Sequence, residues 1–330
     1  MEAVSPARKC RILPAGPDAL AAARSALLAG EAVAIPTETV YGLAADATNG
    51  EAVARIFESK QRPSFNPLIC HVTGIDMAER FARFDPLSRK LAEHFWPGAL
   101  TLVLPLREGH AIHPLVTAGL DTVAVRAPQG FGAELIAAIG RPLAAPSANR
   151  SGRISPTTAQ AVADSLGDAI SLVIDGGPTT VGVESTIVKV EDGVIHLLRP
   201  GGVAAEDIEA VAGKTLQRAQ AGSAIQAPGM LASHYAPNAR MRLNAKDIEP
   251  GEALLGFGPQ RIAGAEKARA VLVLSATGDL VEAAANLFDY MGRLDASGAA
   301  CIAVEPIPEH GLGEAINDRL RRAAAPRGQE

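Results

Sequence analysis

The chain has 330 residues, of which 48% are hydrophobic, 20% charged and only 4% aromatic. At roughly 100 to 200 residues per domain, this length predicts about two domains and excludes a single small module, and the composition excludes global disorder. Lys and Arg number 31 against 36 Asp and Glu, a formal net charge of -5, which disfavours extensive wrapping of nucleic acid but permits a small cationic pocket.

Apolar residues in the first two thirds of the chain alternate between helical and strand spacing. Ser155-Pro156 is typical of a helix N-cap followed by proline at the first helical position. Mixed elements of this kind predict a twisted mixed α/β sheet with flanking helices. In chain order, the predicted elements are a helix over 17–28, a strand over 32–35, a helix over 51–59, a strand over 68–72, a helix over 87–95, strands over 100–104 and 122–125, a helix over 131–139, a strand over 172–174, and a hairpin of 184–190 and 194–198.

The composition changes after about Gly213. Residues 214–239 are rich in Gln, Ala, Gly, Ser and Pro without sustained periodicity, which is typical of an interdomain linker. The pattern therefore predicts a large domain over 1–210, a linker over 211–240 and a small α/β domain over 241–330. Beyond the linker, the predicted elements are strands over 253–257, 271–274 and 301–304 and helices over 280–294 and 312–323.

The three cysteines, Cys10, Cys70 and Cys301, are far apart in sequence and form no Cys-x-x-Cys pair. They indicate neither a zinc site nor a disulfide framework. The N-terminus is charged between Arg8 and Arg11, and no apolar run of signal-peptide or membrane-spanning length follows it. We therefore expect a cytoplasmic location, where cysteines stay reduced, and no membrane partner.

Several familiar signatures are excluded by their spacing. Gly213-Lys214-Thr215 resembles the end of a P-loop, but Ile208 stands where that loop requires glycine. Gly256-Phe257-Gly258 lacks the third glycine of a dinucleotide fingerprint. The sequence has no Gly-x-Ser-x-Gly, His-Glu-x-x-His or EF-hand spacing, which disfavours nucleophile-elbow hydrolysis and helix-borne zinc chemistry.

Polar clusters lie beside the predicted strands. Taken singly, each is explained at least as well by a capped turn, a solvated helix end, a surface arginine or, for His71, a satisfied core histidine. Together, small donors at strand ends and four cations can form one anion pocket within an acidic protein. The cations are Lys60, Arg62, Arg126 and Arg199. The clusters are 36–42 (PTETVYG), 60–63 (KQRP), 66–68 (NPL), 146–152 (PSANRSG), 175–178 (DGGP) and 182–186 (GVEST), with Arg126 and Arg199 at strand ends.

In this order, and with 96–98 (WPG), the clusters resemble the YrdC-type L-threonylcarbamoyl-AMP synthases over residues 15–205. The segments 228–230 (PGM), 234–237 (HYAP), 311–316 (GLGEAI) and 318–320 (DRL) look like the two-domain branch of that family. The resemblance implies a YrdC-like twisted mixed sheet with flanking helices, joined by a linker to a smaller Rossmann-like α/β domain.

The resemblance also implies an activity. L-threonine, bicarbonate or carbon dioxide, and ATP would give threonylcarbamoyl-adenylate and pyrophosphate. The adenylate would pass to a separate tRNA threonylcarbamoyl transferase complex, which modifies the adenosine beside the anticodon, so stable nucleic-acid binding by this chain is not required. Such chemistry needs cations and oriented donors rather than a covalent nucleophile, with Mg²⁺ held on the ATP phosphates.

Individual positions receive roles from the same resemblance. Lys60 and Arg62 would be catalytic, and Tyr235 would close over ATP as a lid that excludes water. Arg126 would pair with the amino-acid carboxylate in a fork geometry that lysine cannot reproduce. The predicted ATP-binding residues are Lys60, Arg62, Asn66, Thr122, Ser147, Asn149, Ser155, Arg199 and Tyr235, and the predicted threonine pocket is Thr39, His71, Arg126, Ala145 and Ser185.

Two other functions stay open at this point. An RNA-binding module without catalysis could use the cationic groove, although the net charge of -5 and the lack of interleaved aromatic and basic residues disfavour it. A carbamoyl-adenylate-forming enzyme is the other alternative, as in larger hydrogenase-maturation relatives that contain a similar domain. Those relatives carry zinc-finger cysteines and further domains that this sequence does not contain.

Overall fold

The computed structural model describes residues 10–218, 226–229 and 233–326. No helix within these ranges is both long enough and apolar enough to cross a bilayer. The helices are α1 (Pro17–Leu28), α2 (Gly50–Lys60), α3 (Ile75–Ala78), α4 (Pro86–Phe95), α5 (Pro114–Thr117), α6 (Phe131–Ile139), α7 (Ala159–Leu166), α8 (Ala205–Ala212), α9 (Leu280–Ala296) and α10 (Leu312–Ala324). The strands are β1 (Arg11–Pro14), β2 (Val33–Ile35), β3 (Gly42–Asp46), β4 (Ile69–His71), β5 (Leu100–Pro105), β6 (Thr122–Arg126), β7 (Leu143–Ala144), β8 (Leu172–Asp175), β9 (Thr186–Glu191), β10 (Val194–Arg199), β11 (Leu216–Arg218), β12 (Arg240–Arg242), β13 (Ala253–Gly256), β14 (Val271–Val273) and β15 (Cys301–Val304).

Eleven strands form one large mixed sheet in the order β1-β8-β2-β3-β7-β4-β6-β5-β9-β10-β11. Strands β4 and β6 are parallel, with His71 opposite Arg126. Strand β5 is antiparallel to β6 and parallel to β9, with Leu100 opposite Thr186. The carboxyl ends of β4 and β6 therefore meet the amino ends of β5 and β9 at one edge of the sheet, which is where α/β sheets commonly bind ligands.

Local capping signals set the helix boundaries that matter for this edge. The side chain of Asn49 accepts the first amide hydrogens of α2, and Gln61 ends that helix in the left-handed conformation with φ 51°. This exit turns the chain sharply between Lys60 and Arg62. Both cations consequently point into the protein, with exposed fractions of 1% and 9%.

The C-terminal residues form a second, four-stranded sheet in the order β12-β15-β13-β14, and all its strands are parallel. Helices α9 and α10 pack on it around a separate apolar core that includes Phe288, Ile302 and Ile316. Val40 and Val183, from loops of the large sheet, join the same core. The two units are thus packed against one another through apolar side chains.

The predicted fold class is confirmed, and α1, α6 and β15 begin and end at the predicted residues. The N-cap predicted at Ser155 is wrong. Helix α7 begins at Ala159, and Thr158 Oγ1 accepts the amide hydrogen of Ala161 at 3.2 Å. Ser155 cannot serve as the cap because its hydroxyl donates to Glu184, outside the helix.

The predicted linker over 211–240 is partly folded. Helix α8 continues to Ala212, and β11 adds to the large sheet in parallel with β10. Leu216 is the only apolar residue of its three, so the sequence pattern did not indicate this strand. Met230 of the linker motif lies outside the described residues. The domain limits 1–210 and 241–330 stay a prediction.

Candidate active site

A buried cavity lies at the sheet edge where β4 and β6 end and β9 begins. Its volume is about 50 Å³, room for a few water molecules at most. Strand ends, the loops after β2 and β7, and the chain before β12 enclose it. The lining residues are Thr39, Val40, Arg62, Ile69, His71, Arg126, Ala145, Pro146, Ser147, Glu184, Ser185, Arg199, Pro228, Gly229, His234 and Tyr235.

Arg126, the last residue of β6, is held from three sides. Its Nε donates to Gly98 O at 3.0 Å and its Nη1 donates to Thr39 Oγ1 at 2.7 Å. Its Nη2 lies 2.6 Å from Glu38 Oε1, and the other Glu38 oxygen accepts the amide hydrogen of Gln129. The Nη2 contact is close but lacks hydrogen-bond alignment, so this nitrogen keeps donor capacity.

Two further guanidiniums, those of Arg62 and Arg199, enter the cavity. Arg62 donates to Asn66 O at 3.2 Å and to Pro67 O at 2.9 Å. Arg199 donates to Ser185 O from Nε at 3.2 Å and from Nη2 at 2.8 Å. Burial lowers the pKa of Arg62 only to about 10, so it stays charged at neutral pH. Buried cations bonded to neutral carbonyl oxygens suit the binding of an anion.

Lys60 lies outside the cavity lining and bonds to the loop over 146–152. Its Nζ donates to the carbonyl oxygens of Ser147 and Asn149. Burial, followed by the charge of Arg62, lowers the pKa of Lys60 well below its usual value. Lys60 therefore ties the end of α2 to the loop that carries Ser147 into the lining.

Two neutral histidines line the cavity, His71 from β4 and His234 from the segment before β12. Burial lowers the pKa of each to about 3, and Arg126 adds to the effect at His71. Within the described ranges, neither Nδ1 atom has a hydrogen-bond partner. His71 is thus a cavity residue with an unused ring nitrogen, which the core-histidine interpretation does not explain.

Glu184 and Arg319 form a buried ion pair beside the cavity that the sequence did not assign. Arg319 Nε, from α10, donates to Glu184 Oε2 at 2.8 Å, and the hydroxyl of Ser155 donates to Oε1. Burial opposes the charge of Glu184, but Arg319 and then Arg199 outweigh it and lower its pKa to about 2. The Arg319 guanidinium also lies 5.1 Å from the ring centroid of Tyr235. A residue of the small domain thus contacts two residues of the cavity lining, Glu184 and Tyr235.

Comparison with known proteins identifies the family. Residues 25–201 match the Sua5/YciO/YrdC family model, which is described as telomere recombination. Residues 203–325 match the model of the threonylcarbamoyl-AMP synthase C-terminal domain. The chain belongs to the Sua5/YrdC family.

Two relatives that match over most of their length extend the comparison. The threonylcarbamoyl-AMP synthase of Bacillus subtilis is 41% identical over 326 residues, covering 93% of each chain. That of Pyrococcus abyssi is 43% identical over 317 residues, covering 89% of this chain and 91% of the relative. The crystal structure of Pyrococcus abyssi Sua5 complexed with L-threonine matches with a TM-score of 0.85 at 37% identity, covering 95% and 96% of the two chains. The two-sheet architecture is therefore that of a two-domain Sua5/YrdC family member.

In this Sua5/YrdC family member, most of the predicted site residues meet at the cavity, although their roles stay predictions. They come from distant parts of the chain, so the fold alone assembles them. Those in the lining are Thr39, Arg62, His71, Arg126, Ala145, Ser147, Ser185, Arg199 and Tyr235.

Five predicted residues lie outside the lining. Lys60 is buried against the 146–152 loop, and Asn149 is a buried residue of that loop whose carbonyl oxygen accepts from Lys60. Ser155 is bonded to Glu184. Asn66 is fully buried, and neither polar atom of its side chain has a partner in the described part of the chain. Thr122 begins β6, roughly 13 Å along the strand from Arg126. The cavity in its present size does not reach Thr122.

The cavity histidines give the family member a specific pH dependence. The unfolded chain protonates His71 and His234 near pH 6.5, whereas the folded chain does so only near pH 3. The free energy of unfolding should therefore be largest above about pH 6.5 and fall toward pH 3, by up to about 1.4 kcal/mol per pH unit for each histidine.

Urea unfolding at about pH 7.5, 6 and 5 measures this effect. The His71→Gln variant should lose stability less steeply than the wild type as the pH falls. The variant His94→Gln, on the exposed surface of α4, should keep the wild-type slope. Equal slopes for the wild type and both variants would contradict a lowered pKa of His71 in the folded chain.

Proposed function

We propose that this chain is an L-threonylcarbamoyl-AMP synthase, which uses L-threonine, bicarbonate or carbon dioxide, and ATP and releases pyrophosphate. One observation carries the proposal. Three buried guanidiniums, those of Arg62, Arg126 and Arg199, line one cavity together with Thr39 and Ser185. This cluster lies in a chain that is 41% and 43% identical to two threonylcarbamoyl-AMP synthases.

The proposed reaction forms two bonds. The amino nitrogen of threonine bonds to the carbon of carbon dioxide and loses a proton to solvent, which gives a carbamate. A carbamate oxygen then attacks the α-phosphorus of ATP, and the bond from that phosphorus to the pyrophosphate oxygen breaks. Negative charge builds on the phosphate oxygens, where Arg62 and Arg199 stabilise it without any covalent nucleophile.

The residues divide between the two substrates. Arg126 takes the threonine carboxylate because its Nη2 has donor capacity and its other nitrogens are already fixed. Asn66 turns its two unpartnered polar atoms to the nucleotide. The threonine pocket is Thr39, His71, Arg126, Ala145 and Ser185, and the ATP site is Lys60, Arg62, Asn66, Thr122, Ser147, Asn149, Ser155, Arg199 and Tyr235.

Magnesium enters this proposal with the nucleotide. The carboxylates near the cavity are engaged, Glu184 by Arg319 and Ser155, and Glu38 by Arg126. Among the described residues, no group of three His, Cys, Asp or Glu is arranged to hold a metal. The cavity arginines Arg62 and Arg199 suit binding of the ATP phosphates. The phosphates would carry Mg²⁺, as they do in many nucleotide enzymes.

The linker residues that line the cavity, among them Pro228 and Gly229, must move to admit ATP, because a cavity of about 50 Å³ is far smaller than a nucleotide. Arg199 Nη1 donates to Pro228 O at 3.3 Å. Gly229 packs so closely that an added Cβ would lie 2.8 Å from Arg199 Cδ. We propose that this segment opens and then returns with Tyr235 over the bound nucleotide, which keeps water from the adenylate.

Pyrophosphate release from ATP tests the proposed function. Release should require both L-threonine and bicarbonate, and L-threonine should support it better than L-serine or L-alanine. The Lys60→Ala variant should lose turnover, whereas Lys90→Ala, exposed on α4, should not. Release indifferent to both substrates, or ATP binding without release, would contradict the proposal.

The product has a chemical consequence for the place of this enzyme in a reaction sequence. A mixed carbamic–phosphoric anhydride is an activated acyl group that needs an acceptor. We propose that the adenylate passes to a tRNA threonylcarbamoyl transferase complex, which transfers the threonylcarbamoyl group to the adenosine beside the anticodon.

A further inference from the structure

Thr37 lies beside the proposed threonine pocket and has no assigned role. We propose that Thr37 is a positioning residue for the amino group of the substrate, because it holds the hydroxyl of Thr39 as a hydrogen-bond acceptor. This inference rests on the proposed function, since it takes Thr39 as part of the threonine pocket.

The direction of the hydrogen bonds follows from a count of protons. Thr37 Oγ1 donates its single proton to Val40 O at 2.7 Å. It can therefore only accept from its other neighbours, Thr39 N at 3.3 Å and Thr39 Oγ1 at 3.0 Å. The proton shared between the two hydroxyls must come from Thr39.

The remaining contact of Thr39 completes the count. Arg126 Nη1 donates to Thr39 Oγ1 at 2.7 Å, which uses one of the two oxygen lone pairs. Thr39 is fully buried and belongs to the cavity lining. Its proton and one lone pair are thus committed, and only an acceptor site is left for a ligand in the cavity.

The substrate group that fits this acceptor is an amine. Arg126 takes the carboxylate in the proposed function, and the amino group of an α-amino acid is attached to the adjacent carbon. The amino group and the side-chain hydroxyl of L-threonine can each donate a hydrogen to Thr39, whereas the carboxylate cannot. The amino group is one bond nearer to the carboxylate held by Arg126, which also bonds Thr39 Oγ1. A donated N–H fixes the orientation of the nitrogen, whose lone pair must face carbon dioxide for the carbamate to form.

The experiment compares two variants of Thr37 with the wild type in the pyrophosphate assay. Thr37→Val removes the hydroxyl at nearly constant shape, and Thr37→Ser retains it. The valine variant should raise the KM for L-threonine about tenfold while the KM for ATP and the unfolding midpoint stay near the wild type. The serine variant should keep both KM values within about twofold of the wild type and should keep the wild-type unfolding midpoint.

A matched control is Thr117→Val, because Thr117 is also buried and its hydroxyl also donates to a backbone carbonyl, Pro114 O at 3.2 Å. It lies outside the cavity lining and should leave the KM for L-threonine unchanged. If Thr37→Val does not fold, Thr37→Ala replaces it in the same comparison.

The outcomes separate the two proposals. A wild type that releases pyrophosphate without regard to threonine would contradict the proposed function itself. A threonine-dependent wild type with an unchanged KM for L-threonine in Thr37→Val would overturn only the role of Thr37. The role of Thr37 would also be overturned if Thr37→Val raised the KM for L-threonine and the KM for ATP equally, or if Thr37→Ser raised the KM for L-threonine as much as Thr37→Val does. Either result would indicate a general effect on the loop that carries Thr37.

Discussion

Replacing Arg126 with lysine should lower kcat/KM for L-threonine by about a hundredfold, equivalent to about 2.7 kcal/mol. The guanidinium binds Gly98 O and Thr39 Oγ1 and contacts Glu38 while it keeps donor capacity at Nη2. A lysine ammonium is a compact point charge without this planar fork, so it cannot make these contacts and also pair with a carboxylate. Pyrophosphate release at varied L-threonine concentration measures the loss.

The control for this prediction is Arg141→Lys. Arg141 also pairs with a carboxylate, Asp46 at 2.8 Å, but its side chain is 55% exposed and lies outside the cavity. It should keep wild-type kinetics, since exposed ion pairs contribute little. An Arg126→Lys enzyme with a normal KM for L-threonine would show that another residue binds the carboxylate.

Replacing Arg319 with methionine should lower the free energy of unfolding by about 3–5 kcal/mol. The substitution leaves the buried carboxylate of Glu184 without its main cation and removes the guanidinium from the face of Tyr235. The Glu184 contribution is present above about pH 4.5 and is lost as the pH falls toward 2, because the folded pKa is depressed. Urea unfolding at neutral pH should therefore show the full effect.

A nearby arginine supplies the comparison. Arg321 is on the same helix and pairs with Glu309 at 3.0 Å, but its side chain is 54% exposed. Arg321→Met should cost at most about 1 kcal/mol. The double variant Glu184→Gln with Arg319→Met should be more stable than Arg319→Met alone, because it removes the buried carboxylate that the single variant leaves without Arg319. Equal losses for the two arginine variants would contradict a buried ion pair.

Short-range signals in the sequence determined much of the fold. Helices α1 and α6 and strand β15 begin and end where apolar spacing places them. The same signals were insufficient where a strand has few apolar residues or where a capping candidate has a distant partner. Strand β11 has one apolar residue in three, and the hydroxyl of Ser155 bonds to Glu184 instead of capping a helix.

The sequence alone also placed cations and hydroxyls beside strand ends, and the family resemblance gave them roles. It could not show that His71 and Arg126 are neighbours, because strand pairing depends on contacts between distant segments. Nor could it pair Glu184 with Arg319, which are 135 residues apart. Residue type and spacing act within a few turns of chain, whereas burial, pKa and hydrogen-bond direction at the cavity arise only when the two sheets and the linker pack together.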